Sequence, residues 1–571
     1  MFTTRFRVSV FLVWLGAALG AGLSSLTAAD FATEVDTDVV QLPVFEVSDT
    51  RILPPPEDWL YATLPGFEVL SSLSAGETRR SLQDFALLQS AINVIMPGIQ
   101  PSPSGPPSLL ILCGRGNDFS RFVPPAQEVD TYRTNSLFIT LPDRTAIVIN
   151  RRQIDLEIDG DALAALDPGA TALPPIADAD DAPLEEELSI GATLEVDPAR
   201  AFYQEYFRYL IRRQTGTDQQ RWFEEGMARM LAAVDFSKRR ISFAQIGDGF
   251  GGIKGTDFGA LLSRRALIPL DDMFGNQSAK PDQVWSAQCY AFVHLCLYGR
   301  GQRYQSAFLR FVTRSAREPL TEELFNACFG QDFKAMTSEL RGYIEFTDHK
   351  SIQFNAKKGE SLPEPPVVEV RSATDAGSGR LVGETLAAAA RISEAGLTLV
   401  APYSRGERDP RLLAALGLYA SANHDTERAK KYLSEAVKLG VDRTLAYREL
   451  SRIQLLDTPT NLTPAQIDAA LYPLLQARGR AALTAEWFEQ FSAVWDRSSA
   501  APPPEHIAWI NEGVMRFDRR PRLLIAAARI NLRWGTSEAA RRIIDYGLQT
   551  FTSPATLTVL QDLKRRLPAE S

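Results

Sequence analysis

Histidine is scarce in this chain: four in 571 residues, at positions 294, 349, 424 and 506. None lies in the first half, so a histidine-bearing metal or acid–base site cannot be built from that half alone. Cysteine is as sparse, with four residues at 113, 289, 296 and 328. No C-x-x-C or zinc-knuckle spacing occurs, which excludes a disulfide scaffold and leaves a single disulfide open. Cys289 and Cys296 lie two helical turns apart on one apolar face, as small buried residues do. No G-x-S-x-G elbow is present. The "GRG" at 114–116 lacks the further glycines and the Lys of a phosphate loop, and reads as a tight turn. Basic clusters are also missing: "SKRR" and "LKRRL" read as solvated helix ends, and the net charge is −9. A nucleic-acid partner is therefore not expected.

Long apolar runs are absent except one. Arg5 and Arg7 precede "VSVFLVWLGAALGAGLSSL", and "LTAA" ending at Ala29 supplies small residues for cleavage. Residues 1–29 are expected to be a signal peptide, with export to the periplasm, the cell envelope or the outside. The run is long enough to serve as a membrane anchor if it stays uncleaved.

What is present suggests more than one domain, since 571 residues exceed a single core. Residues 30–106 read as an extended, Pro-interrupted segment, then a helix in "AGETRRSLQDFALLQSAINVIMP", packing on the next domain. "PSLLILCGRGNDFSRF" reads as a buried strand, a turn and a helix start. "SLFITLPDRTAIVIN" reads as two strands turning at "PDRT". An Ala-, Pro- and acid-rich stretch, 160–188, is expected to be a solvated surface insertion. Asp197-Pro198 signals a helix start, and the chain is then mainly helical to 348. Residues 349–380 read as a linker with one extended piece. From 381 to 567 the pattern is that of irregular tetratricopeptide-like helix pairs: Gly417 and Ala429 permit close approach, with Leu433 in the gap. Ala528, Ala540 and Ile544 repeat that register, while the segment between fits it less well. The fold class expected is α+β: a small sheet with helices, followed by an all-α array.

One stretch carries chemistry, "AFYQEYFRYLIRRQTGTDQQRWFEEGMARML", residues 201–231. Zinc peptidases with H-E-x-x-H set two His one turn apart on a helix, with the Glu as general base. Here Gln204, Glu205 and Arg208 stand in the order His, Glu, His. Trp222, Glu225, Gly226 and Ala228 form W-x-x-E-G-x-A on a second helix. On these residues the chain resembles the peptidase MA-like domain of the glutamate-zincin branch, over roughly Pro107 to Phe346. The later "IPLDDMFG", "VWSAQCYAFVHLCLYG" and "ELFNACFGQDFKAMTSELRGYI" extend the likeness.

The resemblance implies that Glu205 matches the general base and Glu225 the third zinc ligand. It also implies that the small residues of the second helix allow close packing on the first. Gln204 and Arg208 break the pattern: Gln is a poor ligand, and Arg, always protonated, repels a dication. No metal and no cofactor are therefore expected, and Glu205 is vestigial. Gln204, Arg208, Trp222 and Glu225 remain as binding or structural residues, with Arg208 facing Glu225 and Glu205. A simpler reading makes Phe202, Tyr206, Tyr209 and Leu210 core and Glu205–Arg208 a solvated pair.

Two functions follow. The first is an exported, catalytically inactive peptidase-like protein that binds a peptide or protein through the old cleft or the helical repeats. The alternative is an active, metallopeptidase-like hydrolase with a non-standard site. His294, mid-helix among apolar residues, reads as a core residue rather than a base.

Overall fold

The computed structural model describes residues 53–95, 106–125, 136–151, 155–158, 192–195, 198–215, 220–243, 262, 266–275, 283–315, 318–346, 352–355 and 367–568, with isolated gaps inside these spans. Residues 1–29, expected to be a signal peptide, and the acidic stretch 160–188 lie outside them. All described residues belong to one compact unit, Leu42–Ser571.

Alternating apolar runs make a six-stranded sheet. Its strands are β1 (Leu60–Leu64), β2 (Phe67–Ser71), β3 (Ser108–Cys113), β4 (Ser136–Thr140), β5 (Thr145–Asn150) and β11 (Arg371–Ser372), in the order β11-β1-β2-β3-β5-β4. Strands β2, β3 and β5 run parallel, and the helix α1 (Ala75–Ile95) crosses from β2 to β3. The β1–β2 and β4–β5 hairpins flank them. Gly66 supplies the positive φ of +82° at the first turn, where a side chain would be strained. Two shorter ladders pair β6 (Asp155–Ile158) with β7 (Ala192–Glu195), and β8 (Asp235–Phe236) with β9 (Arg240–Phe243) and β10 (Ile352–Asn355).

Period-two alternation divides the sheet residues between two cores. Leu110, Leu112, Ile147 and Ile149 face α1 and the helix α2 (Pro198–Thr215). Leu109, Ile111, Ala146 and Val148 instead join Leu381, Val382 and Leu386 of the helix α9 (Asp375–Ala388). The sheet is thus covered on both faces, which explains why β3 is buried along its whole length. After α2 come α3 (Arg221–Ala232), α4 (Leu270–Gly275), α5 (Gln283–Tyr298), α6 (Gln305–Ser315), α7 (Glu322–Phe329) and α8 (Phe333–Phe346). Their interior is an aromatic cluster around Trp222, Phe274, Phe292, Phe311 and Phe325.

From α9 on the chain is a series of helix pairs. These are α9 with α10 (Ile392–Ser404), α11 (Pro410–Ala422) with α12 (Thr426–Lys438), and α13 (Thr444–Gln454) with α14 (Pro464–Ala477). Then follow α15 (Ala485–Asp496) with α16 (Pro504–Arg516), α17 (Pro521–Trp534) with α18 (Ser537–Thr550), and a last helix α19 (Pro554–Arg565). The first helices of successive pairs touch in series, forming an inner layer. Within two pairs a glycine lets a leucine in: a Cβ on Gly417 would sit 2.6 Å from Leu433, and one on Gly383 2.6 Å from Leu399. Asp409, Asp425 and Thr463 cap their helices through backbone N–H groups. The chain is α+β, with a mixed sheet followed by a helical array.

Two local readings change. The helix start after "GRG" is only a single 3-10 turn, Ser120–Phe122. The stretch read as a linker, 349–380, carries β10, β11 and the first turns of α9; Arg371–Ser372 adds to the sheet edge beside β1. Strands from 30–106, from 107–348 and from 349–380 therefore share one sheet. No described helix is long and apolar enough to cross a membrane.

Candidate functional site

Two helices build the site. The aromatic face of α2 anchors it to the sheet: Tyr206 and Tyr209 lie against Phe67, and Phe202 and Tyr206 against Phe85. Apolar residues at this spacing fix the rotation of the helix, so Glu205 and Arg208 must point away from the sheet core toward α3. Helix α3 in turn is held by α5. A Cβ on Gly226 would meet the Cys289 carbonyl oxygen at 2.7 Å and Val293 at 2.6 Å. This corrects the expectation for the W-x-x-E-G-x-A motif: its glycine permits close approach to α5, not to α2. Trp222 is fully buried among phenylalanines of the aromatic core. It positions α3 from behind and takes no part in the charge cluster.

Between the helices lies the Arg208 guanidinium. Its Nη1 donates to Glu205 Oε1 at 2.5 Å and its Nη2 to Glu225 Oε2 at 2.6 Å. Glu224 Oε1 stands 4.0 Å from its Nε. Arg229, one turn beyond Glu225, donates from Nε to Glu225 Oε1 at 2.5 Å. Ser136, at the start of β4, donates to Glu205 Oε1 at 3.3 Å. The reading of Glu205–Arg208 as a solvated pair does not hold, because Glu205 is 6% exposed and its partner's side chain only 19%. Phe202, Tyr206, Tyr209 and Leu210 are core residues all the same. Gln204 is half-buried on the same helix and enters none of these ion pairs.

Burial raises the Glu225 carboxyl, but Arg229 and Arg208 outweigh it and hold the group well below the usual carboxylate range. For Arg208 burial acts to lower its value, and Glu205 and Glu225 reverse that, keeping the guanidinium charged. Glu205 Oε2 is buried with no hydrogen-bond donor among the described residues.

This donor set does not fit a zinc ion. Both Glu225 oxygens already accept from guanidinium groups, and a fixed cation occupies the space between the two carboxylates. Among the described residues no group of three or more His, Cys, Asp or Glu side chains is arranged to hold a metal. His294 is 3% exposed, its Nδ1 within 2.6 Å of the Tyr343 hydroxyl, in the helical core. All four cysteines are buried and free.

Sequence reasoning missed Ser136 and Arg229. The i,i+4 spacing of Glu225 and Arg229 was a readable signal; Ser136 comes from a distant strand and gave none. It also missed a second buried charge cluster. Glu68 of β2 accepts from Arg144 of the β4–β5 turn at 2.8 Å and from Arg380 of α9 at 2.8 Å. Arg144 also pairs with Glu384, which accepts from Arg443 at 2.7 Å; Arg443 in turn clasps Asp143 at 2.8 and 2.9 Å. These ion pairs tie sheet to array.

No protein-family model matches this chain, and no curated protein matches its sequence.

Proposed function

We propose that this chain is an exported, non-hydrolytic relative of the peptidase MA-like proteins that acts by binding peptide or protein. One observation carries the reading: the Arg208 guanidinium bridges Glu205 and Glu225, the residues that match the general base and the third zinc ligand of that family. A general base must be able to take a proton from a metal-bound water. Here the Glu205 carboxylate is held as the counter-ion of a permanent cation, and Glu225 is saturated by two. The pair of His-to-other changes and the gain of Arg are mutually compensating, since a dication and a guanidinium both neutralise facing carboxylates. The helical array, with its first helices in one inner layer, supports a binding role of its own.

The test is a hydrolysis assay on the purified mature chain, with an unbiased library of extended peptides, with and without added zinc. The reading expects no cleavage under either condition. Zinc-dependent cleavage that a chelator abolishes would establish the hydrolase instead.

A further inference from the structure

We propose that the open groove on the inner face of α13, α15 and α17 docks an extended acidic segment of a partner polypeptide. The groove has a volume of about 480 Å³ and is lined by one face of each helix. Arg448 and Arg452 come from α13, spaced one turn apart. Arg522, Ile525, Ala526 and Arg529 from α17 fall at i, i+3, i+4 and i+7. Ala493, Ile525 and Ala526 supply the apolar part of its lining.

Charge selects the occupant. Five arginines line the groove against three carboxylates, Glu486, Glu489 and Asp496, giving a net +2 on a chain whose overall charge is −9. Those arginines are not equally occupied. Arg529 donates to Asp496 at 3.0 Å, and Arg452 to Glu449 at 2.7 Å. Arg448 makes only a 3.4 Å contact with Glu449. Arg522 is exposed and closes no salt bridge among the described residues. Burial pushes the Glu489 carboxyl upward from its ordinary range. Arg448, on α13, and Arg522, on α17, therefore stand on opposite walls as weakly neutralised cations, suited to carboxylates along one extended segment. The interspersed acidic residues disfavour a continuous phosphate backbone and leave acceptors for peptide N–H groups, so a polypeptide fits better than a nucleic acid.

This inference deepens the proposed binding role and rests on it only in taking the array as a binding surface. It is tested on the full mature chain by fluorescence anisotropy. The probes are a labelled peptide alternating Asp or Glu with small apolar residues, its Lys-substituted counterpart, a neutral counterpart, and a single-stranded oligonucleotide. The acidic peptide is expected to bind best and to weaken with added salt. Arg448→Glu with Arg522→Glu should weaken it about tenfold or more, while Arg565→Glu, outside the groove, should not. Both groove arginines are exposed or weakly paired, so the double variant should fold, which circular dichroism checks. Unchanged affinity in the double variant, or tighter binding of the basic peptide or the oligonucleotide, overturns the groove proposal alone. If no peptide of any charge binds, the binding role falls with it.

Discussion

A guanidinium taken out of water between two helices is tolerated only when its partners replace the lost hydration, and Arg208 has two such partners with unequal fallbacks. Glu225 keeps Arg229 if Arg208 is removed, whereas among the described residues Glu205 keeps only the Ser136 hydroxyl. Arg208→Ala should therefore destabilise the chain by about 3 kcal/mol, mostly by stranding Glu205. Adding Glu205→Gln removes the stranded charge, so the double variant should be more stable than the sum of the single effects by about 1 kcal/mol or more. Urea unfolding of the four proteins in the cycle measures this; additivity to within about 0.5 kcal/mol would mean that packing, not pairing, holds the residue. Glu205 and Arg208 were legible in the sequence because their i,i+3 spacing puts them on one face of a helix, and Glu225 was named only through the resemblance. Ser136 was not, since nothing local links residue 136 to residue 205. The orphaned Oε2 of Glu205 is visible only in three dimensions.

Among the elements, helix spans followed closely from periodicity and punctuation: α1 ends two residues before Pro97, and α2 begins at Pro198. What periodicity does not encode is which neighbour a small residue serves. Gly226 sits against a backbone carbonyl of α5, and a carbonyl cannot swing aside as a side chain can. Gly226→Ala should cost about 2 kcal/mol by overpacking. A Cβ added to Gly342 of α8 would meet nothing within 4 Å, so Gly342→Ala should stabilise by about 0.5–1 kcal/mol through helix propensity. Thermal melts of the two variants should shift in opposite directions; a shift in the same direction contradicts the packing account. The pair α13–α14, whose sequence fits the repeat register less well, still packs as a pair. Tyr447, Leu450, Leu471 and Leu474 are all buried in the core of the array.

For the whole molecule, the α+β class was readable from strand alternation followed by helical repeats, but the junction between them was not. Glu68 and Arg380 are 312 positions apart, and Asp143 and Arg443 are 300 apart. Charged residues at such separations look like ordinary surface positions until the topology brings them together. Their burial makes the junction sensitive to acid. Burial raises the Glu68 carboxyl, but Arg380 and Arg144 prevail and bring it from 4.5 down to about 2. Asp143 and Glu384 are lowered in the same way, against their burial, by Arg443 and by Arg144. A folded value below the unfolded one stabilises fully above the unfolded value and is lost as pH falls through the folded one. The urea midpoint should therefore hold steady down to about pH 4.5 and fall between there and about pH 2, more steeply in the wild type than in Glu68→Gln. Equal slopes would remove Glu68 from the account. The most direct test of the central claim, that Arg208 stands where a zinc site would otherwise be, is zinc stoichiometry by native mass spectrometry on the wild type and on Gln204→His with Arg208→His. The account predicts substoichiometric zinc on the wild type and one tightly held zinc per chain on the double variant, with Glu225 as third ligand. One zinc per wild-type chain, or a folded double variant that binds none, would contradict it.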